Sequence, residues 1–147
     1  MITVLLADDH SHVLDSLRSL LESAEDIQIV ATATDGVESV VQAFISCPDV
    51  VILDISMPHM DGIQVIRKIR ARCPSTRVMM LSMFDYPGYI QRALEAGAIG
   101  YVLKDDISTD LLAAVRTLHE GNHYFSKKIA PMAGQYIHPD GNGSPTS

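Results

Sequence analysis

Residues 49–55 read DVVILDI. Val50, Val51, Ile52 and Leu53 follow one another without a polar break, so a strand built from them is apolar on both faces. Such a strand belongs inside a parallel sheet with helices on either side. Four more short apolar runs recur along the chain: ITVLLA (2–7), IQIVATA (27–33), RVMML (77–81) and IGYVLK (99–104). IQIVATA alternates more than the others, which suits a strand nearer the edge. The segments between them have helical period. Val13, Leu14, Leu17, Leu20, Leu21 and Ala24 line one face of a first helix. Asp35 with Glu38 resembles a capping box opening a second. Asp61-Gly62 opens a third, carrying Ile63, Ile66 and Ile69. Asp85 is placed as the cap of a fourth, with Pro87 in its first turn. Ser108 is placed as the cap of a fifth, with Leu111, Leu112, Val115 and Leu118, and Gly121 stops it. Strands alternating with helices imply right-handed crossovers. The expected fold is therefore α/β: a (βα)5 flavodoxin-like doubly wound parallel sheet of strand order 2-1-3-4-5, spanning residues 1–125.

The remainder, 126–147, ends in PDGNGSPTS, a linker composition, with room for one short helix before it. The 147 residues suit one domain with a core of its own. No apolar run approaches the ~20 residues of a membrane span, and ITVLLADDH lacks the basic region and cleavage site of a signal peptide. The expectation is a cytoplasmic protein without membrane association. The net charge of −7 and the absence of a basic run beyond Lys127–Lys128 argue against direct DNA binding. Cys47 and Cys73 each precede a proline and read as reduced packing residues, with a single disulfide as the alternative.

The chemistry lies where strands end. Ligands bind an open α/β sheet at the carboxyl ends of its strands, at the switch point of the strand order. Asp8 and Asp9 end the first strand and Asp54 ends the third, its neighbour in this order. Three carboxylates then share one pocket. At ~4 Å and an effective dielectric of about 20, a like-charge pair costs on the order of 4 kcal/mol. Something positive must offset this, and hard oxygen donors with room for water suit Mg²⁺, which leaves a position for a phosphoryl oxygen. Lys104 and Ser82 end the fifth and fourth strands and face the same rim with a cation and a hydroxyl. His10 and His12, placed in the first helical turn, are two residues apart and do not share a helix face, so they make no zinc site. Met57, Met60, Met79, Met80 and Met83 read as core and loop packing, and His59 as loop surface.

DDH (8–10), LDISMPHMDG (53–62), LSMFD (81–85) and GYVLKD (100–105) stand in order, each at the end of an expected strand. Together they resemble the receiver domain of two-component response regulators. With GNHYFS (121–126), they are similar to its NarL/FixJ (LuxR-type) class. The resemblance implies a phosphorylation-dependent switch rather than a dedicated enzyme. In it, Asp54 accepts a phosphoryl group from a sensor histidine kinase. Mg²⁺ (or Mn²⁺) is held by Asp8, Asp9, Asp54 and the backbone carbonyl of Ser56. Lys104 pairs with the phosphoryl group, Ser82 bonds it, and Tyr101 is the aromatic switch that turns inward when Ser82 moves. Met83, where a small residue is frequent, and Asp105, where a proline is frequent, are departures that leave this set complete.

The family further implies a DNA-binding helix-turn-helix output domain beyond this chain, which regulates transcription, and a possible phosphorylation-dependent homodimer. The candidate dimer faces pair the helix at 108–120 with the first helix or with the helix at 86–96. The alternative is a stand-alone receiver relaying phosphate or acting by protein–protein binding. Two rivals fit less well. A haloacid dehalogenase-type phosphohydrolase needs an acid at position 56, which is Ser56. An FMN-binding flavodoxin needs a phosphate-cradling loop where this chain has ADDH.

Overall fold

The computed structural model describes residues 1–57 and 61–136. Six parallel strands form one sheet: β1 (Ile2–Ala7), β2 (Ile27–Ala33), β3 (Val50–Asp54), β4 (Arg77–Ser82), β5 (Gly100–Leu103) and β6 (Tyr124–Phe125), in the order β2-β1-β3-β4-β5-β6. The five expected strands stand in the expected order. The sixth, two residues long, extends the β5 edge, where Gly100 pairs with Tyr124 and Tyr101 with Phe125. A two-residue strand carries no periodicity of its own, so only the neighbouring edge creates it.

The helices are α1 (Ser11–Glu22), α2 (Gly36–Ser46), α3 (Gly62–Arg72), α4 (Pro87–Ala96), α5 (Ile107–His119) and α6 (Ala130–Ala133). Successive strand residues feed opposite faces. Leu6, Ile52, Met79, Leu81 and Val102 pack with Leu17 and Leu21 of α1 and with Leu111, Val115 and Leu118 of α5. Leu5, Val51, Leu53, Val78, Met80 and Tyr101 pack with α2, α3 and α4. β3 is buried along its whole length, as its unbroken apolar run requires, and β2 lies at the edge. Ile129 and Ala133 are fully buried on the α4 side, so the packed chain runs past Phe125. Half of the linker read at 126–147, residues 137–147, lies outside the described residues, as do His59 and Met60. Met79 and Met80 are core; Met83 is 71% exposed.

The caps differ from expectation in three places. Asp35 accepts from the Glu38 N–H at 2.7 Å, and Glu38 reaches back one residue further than expected, to the Thr34 N–H at 2.7 Å. Asp61 accepts from the Ile63 N–H. The cap of α4, however, is Tyr86, not Asp85. Pro87 begins the helix, because its ring sets the first helical φ, and the cap is then the residue directly before it. Ser108 lies inside α5, because a 3₁₀ turn at Lys104–Asp106 leads directly into the helix and brings its start to Ile107. Gly121, at φ 89°, follows the end of α5 in the left-handed conformation that glycine adopts freely.

The cysteines also depart from expectation. Cys47 and Cys73 form a disulfide, their Cα atoms 5.5 Å apart. Each terminates a helix, and α2 and α3 pack side by side, so the two carboxyl ends meet. The separation of 26 residues hides this proximity from the sequence. Among the described residues, no helix is long and apolar enough to cross a membrane.

Candidate functional site

β1 pairs with β3 through Ala7↔Leu53, and there the ladder between them ends. Asp8 and Asp54 therefore emerge side by side at the carboxyl rim, and β3 passes Asp54 alongside Leu81 of β4. Both carboxylates are buried. Asp8 is oriented by its own turn: the backbone N–H of His10 donates to Asp8 Oδ1 at 2.8 Å. Among the described residues, the partner of Asp8 Oδ2 is a cation rather than a hydrogen-bond donor of good geometry. The Lys104 ammonium bridges the two acids, 3.3 Å from Asp8 Oδ2 and 3.3 Å from Asp54 Oδ1. Ser56 donates to Asp54 from its N–H and its hydroxyl, both at 3.3 Å. Of the three carboxylates, Asp9 is the exposed one. One oxygen or nitrogen from each of Asp8, Asp9, His10 and Asp54 lies within 4.8 Å of the others.

Burial holds the Asp54 carboxyl above the ordinary carboxylate range. The neighbouring Asp8 charge adds to this, and Lys104 and the Ser56 N–H oppose it. The pocket thus gathers two buried carboxylates on one lysine, with a third, Asp9, beside them. Such a set fits a divalent cation of the hard, oxygen-seeking kind, which Asp8, Asp9 and Asp54 would hold.

Ser82 and Tyr101 meet at a single acceptor. The Ser82 hydroxyl donates to the Phe84 carbonyl at 3.1 Å and accepts from the Phe84 N–H at 2.9 Å. The Tyr101 hydroxyl donates to the same carbonyl at 3.1 Å, and its ring is fully buried. Burial raises the Tyr101 phenol above its ordinary value. The aromatic ring is therefore already inside, and the chain segment at Phe84 joins it to Ser82. Phe84 itself stacks on Tyr86 with centroids 5.1 Å apart, both rings partly exposed.

Residues 4–116 match the model of the response regulator receiver domain. This chain belongs to that family. It is 39% identical over 127 residues to the oxygen regulatory protein NreC of Staphylococcus epidermidis, an alignment covering 86% of this chain and 58% of NreC. It is 40% identical over 131 residues to the transcriptional regulatory protein MctR of Rhizobium johnstonii, covering 87% of this chain and 60% of MctR. The chain thus spans rather less than two thirds of the curated relatives it matches. Among solved structures, RcsB of Salmonella typhimurium superposes with a TM-score of 0.85 at 28% identity, covering 95% of this chain and 73% of that one. A LuxR-family response regulator from Aurantimonas gives 0.84 at 30% identity, covering 90% of this chain and 95% of that one. The receiver domain of a NarL regulator from Mycobacterium tuberculosis gives 0.79 at 33% identity, covering 82% and 98%.

Within the receiver fold, the structure brings Asp8, Asp9, Asp54 and Lys104 together and sets Ser56 against Asp54. Ser82 bonds Phe84 rather than Asp54. Two participants escaped the sequence reading. Phe84 takes part through its backbone carbonyl, which no side-chain pattern signals. His10 was placed in the first helical turn, but it precedes α1 as its N-cap with an extended backbone. Its ring is thereby free of the helix-face argument and turns into the acid cluster. Its position directly after two aspartates was the available signal.

Proposed function

We propose that this receiver domain is a phosphorylation-dependent switch whose phosphoacceptor is Asp54, loaded by a sensor histidine kinase in the cytoplasm. The observation that carries this reading is the Asp54 carboxylate, buried at the rim with a lysine ammonium 3.3 Å away. An Asp54 oxygen attacks the phosphorus of a phosphohistidine. The new O–P bond forms as the N–P bond breaks, and the imidazole leaves with its electron pair and takes up a proton. Lys104 faces the oxygens over which charge spreads in the transferring group. Asp8, Asp9, Asp54 and the Ser56 carbonyl would hold Mg²⁺, or Mn²⁺ in its place, which when bound would supply further neutralisation of phosphoryl charge. The groups that face the transferring phosphoryl also face the adduct, so the domain assists its own loading and unloading without being a dedicated enzyme.

The switch runs through Phe84. A phosphoryl group on Asp54 offers the Ser82 hydroxyl a charged acceptor in place of a neutral carbonyl. When Ser82 leaves, the segment at Phe84 is released from one of its two hydroxyl partners, while Tyr101 retains the other. The readout is a rearranged surface at residues 83–86, ahead of α4. RcsB dimers have been solved bound to DNA. In this protein the output is a helix-turn-helix domain outside the chain, controlled by dimerisation through α5 with α1 or with α4. The net charge of −7 keeps the receiver itself off DNA.

Incubation with acetyl phosphate and Mg²⁺, followed by intact mass measurement, tests the assignment. One added phosphate is expected, and none in Asp54→Asn. A phosphorylated Asp54→Asn protein refutes it.

A further inference from the structure

We propose that His10 is a metal ligand of this receiver, giving the acid cluster a nitrogen donor and with it a preference for transition-metal divalent ions over Mg²⁺. The inference rests on the metal-assisted reading above and assigns to that site a ligand outside the oxygen set.

The geometry is specific to Nδ1. It lies 3.1 Å from Asp8 Oδ1, 3.2 Å from Asp9 Oδ1 and 3.8 Å from Asp54 Oδ2. One ring nitrogen thus faces all three carboxylates. At metal–ligand bonds of ~2.1 Å, adjacent ligands of an octahedral ion stand about 3 Å apart and opposite ligands about 4.2 Å apart. The four residues' donor atoms, all within 4.8 Å, need close by only a few tenths of an ångström. The ring is held for this. His10 is the N-cap of α1 in an extended conformation, and its side chain makes no capping bond, so nothing ties it to the helix. Its backbone N–H is committed to Asp8 Oδ1. A second observation points the same way: Asp8 is fully buried, and among the described residues its Oδ2 has only the Lys104 ammonium, 3.3 Å away, as a partner.

Facing carboxylate oxygens, Nδ1 acts as a hydrogen-bond donor. On coordination the Nδ1 lone pair forms the bond to the metal, and the proton moves through solvent to Nε2. The side chain is 46% exposed, so that exchange is unobstructed. Mixed imidazole and carboxylate sets bind first-row ions more tightly than all-oxygen sets do, whereas Mg²⁺ gains little from nitrogen. The chemical class selected is therefore a Mn²⁺- or Zn²⁺-like ion.

Mn²⁺ is a suitable probe because electron spin-echo modulation reveals a directly bound ¹⁴N nucleus. Wild type loaded with Mn²⁺ should show imidazole ¹⁴N modulation, and His10→Ala should lose it. The Mn²⁺:Mg²⁺ affinity ratio, from Mn²⁺ titration and Mg²⁺ competition, should fall about tenfold in His10→Ala. His12→Ala is the control. Its ring centroid lies 6.2 Å from that of His10, and this variant should keep both the modulation and the ratio. Wild type without ¹⁴N modulation overturns the proposal, as does an unchanged affinity ratio in His10→Ala. So does an equal gain of both affinities in His10→Ala, which would make the ring a competitor for the ion's place. Failure of either ion to bind wild type defeats the metal-assisted reading as well. Normal Mg²⁺ binding without nitrogen coupling defeats only the role of His10.

Discussion

The two ends of the same sheet treat their polar groups in opposite ways. At the amino ends of the strands the polar groups find their partners within the chain. Asp49 Oδ2 accepts from the Thr3 N–H at 2.9 Å and from the Thr3 hydroxyl at 3.1 Å, and the Thr3 hydroxyl accepts from the Asp49 N–H at 2.9 Å. Thr76 donates to the Pro48 carbonyl at 2.6 Å. Arg70 donates to the Pro74 and Thr76 carbonyls. The Cys47–Cys73 bridge closes the same end. At the carboxyl ends, Asp8 and Asp54 are buried beside each other, and one lysine serves both. One end is finished within the chain and holds the fold. The other keeps two buried carboxylates on a single cation, and the proposed metal site rests on that excess of negative charge.

If the amino end carries stability, breaking it should cost most. Cys47→Ser, or reduction of the bridge, should lower unfolding stability by about 3.5 kcal/mol from the entropy of closing a loop of this length. Urea melts of oxidised, reduced and Cys47→Ser protein measure it, with the last two coinciding. In a reducing compartment the pair stands as thiols, and the reduced value is then the working one. Equal midpoints with and without reductant would show that α2 and α3 hold this end without the bridge. Next in size is Asp49→Ala, which leaves the Thr3 N–H and hydroxyl without their acceptor and should cost about 1–3 kcal/mol. A loss of only a few tenths would show that water replaces the carboxylate freely.

The carboxyl end should respond with the opposite sign. Asp54→Asn should stabilise the metal-free protein at pH 7. Its gain is a fraction of the ~4 kcal/mol carried by a close like-charge pair, because Lys104 already offsets part of the repulsion. The pH dependence follows from the raised Asp54 carboxyl. The folded state binds that proton more tightly than the unfolded state, whose value is near 3.8. The group therefore makes stability fall as pH rises from about 3.8 through its raised folded value. Asp54→Asn should lack that component of the slope. Urea melts across the acid range compare the two proteins, and parallel profiles would mean that Lys104 and Ser56 already balance the site.

The order of five strands and their common rim were legible because each rests on chemistry that a short stretch carries alone. An unbroken VVIL run demands burial on both faces, alternating periods demand crossovers, and doubled aspartates at a strand end demand a counter-charge. The same reasoning placed Asp8, Asp9, Asp54 and Lys104 together. It failed where the decision belongs to neighbours distant in sequence. The strand at Tyr124–Phe125 exists only because β5 offers an edge. The cysteines meet only because α2 and α3 lie side by side. Tyr101 and Ser82 converge on a carbonyl that has no side-chain signature. His10 turns into the acids only because the helix begins one residue after it. By itself the sequence determined which elements form and which charges share a rim, since period and residue type act locally. The tertiary structure alone decided which atoms touch, because contact distances depend on how whole elements pack.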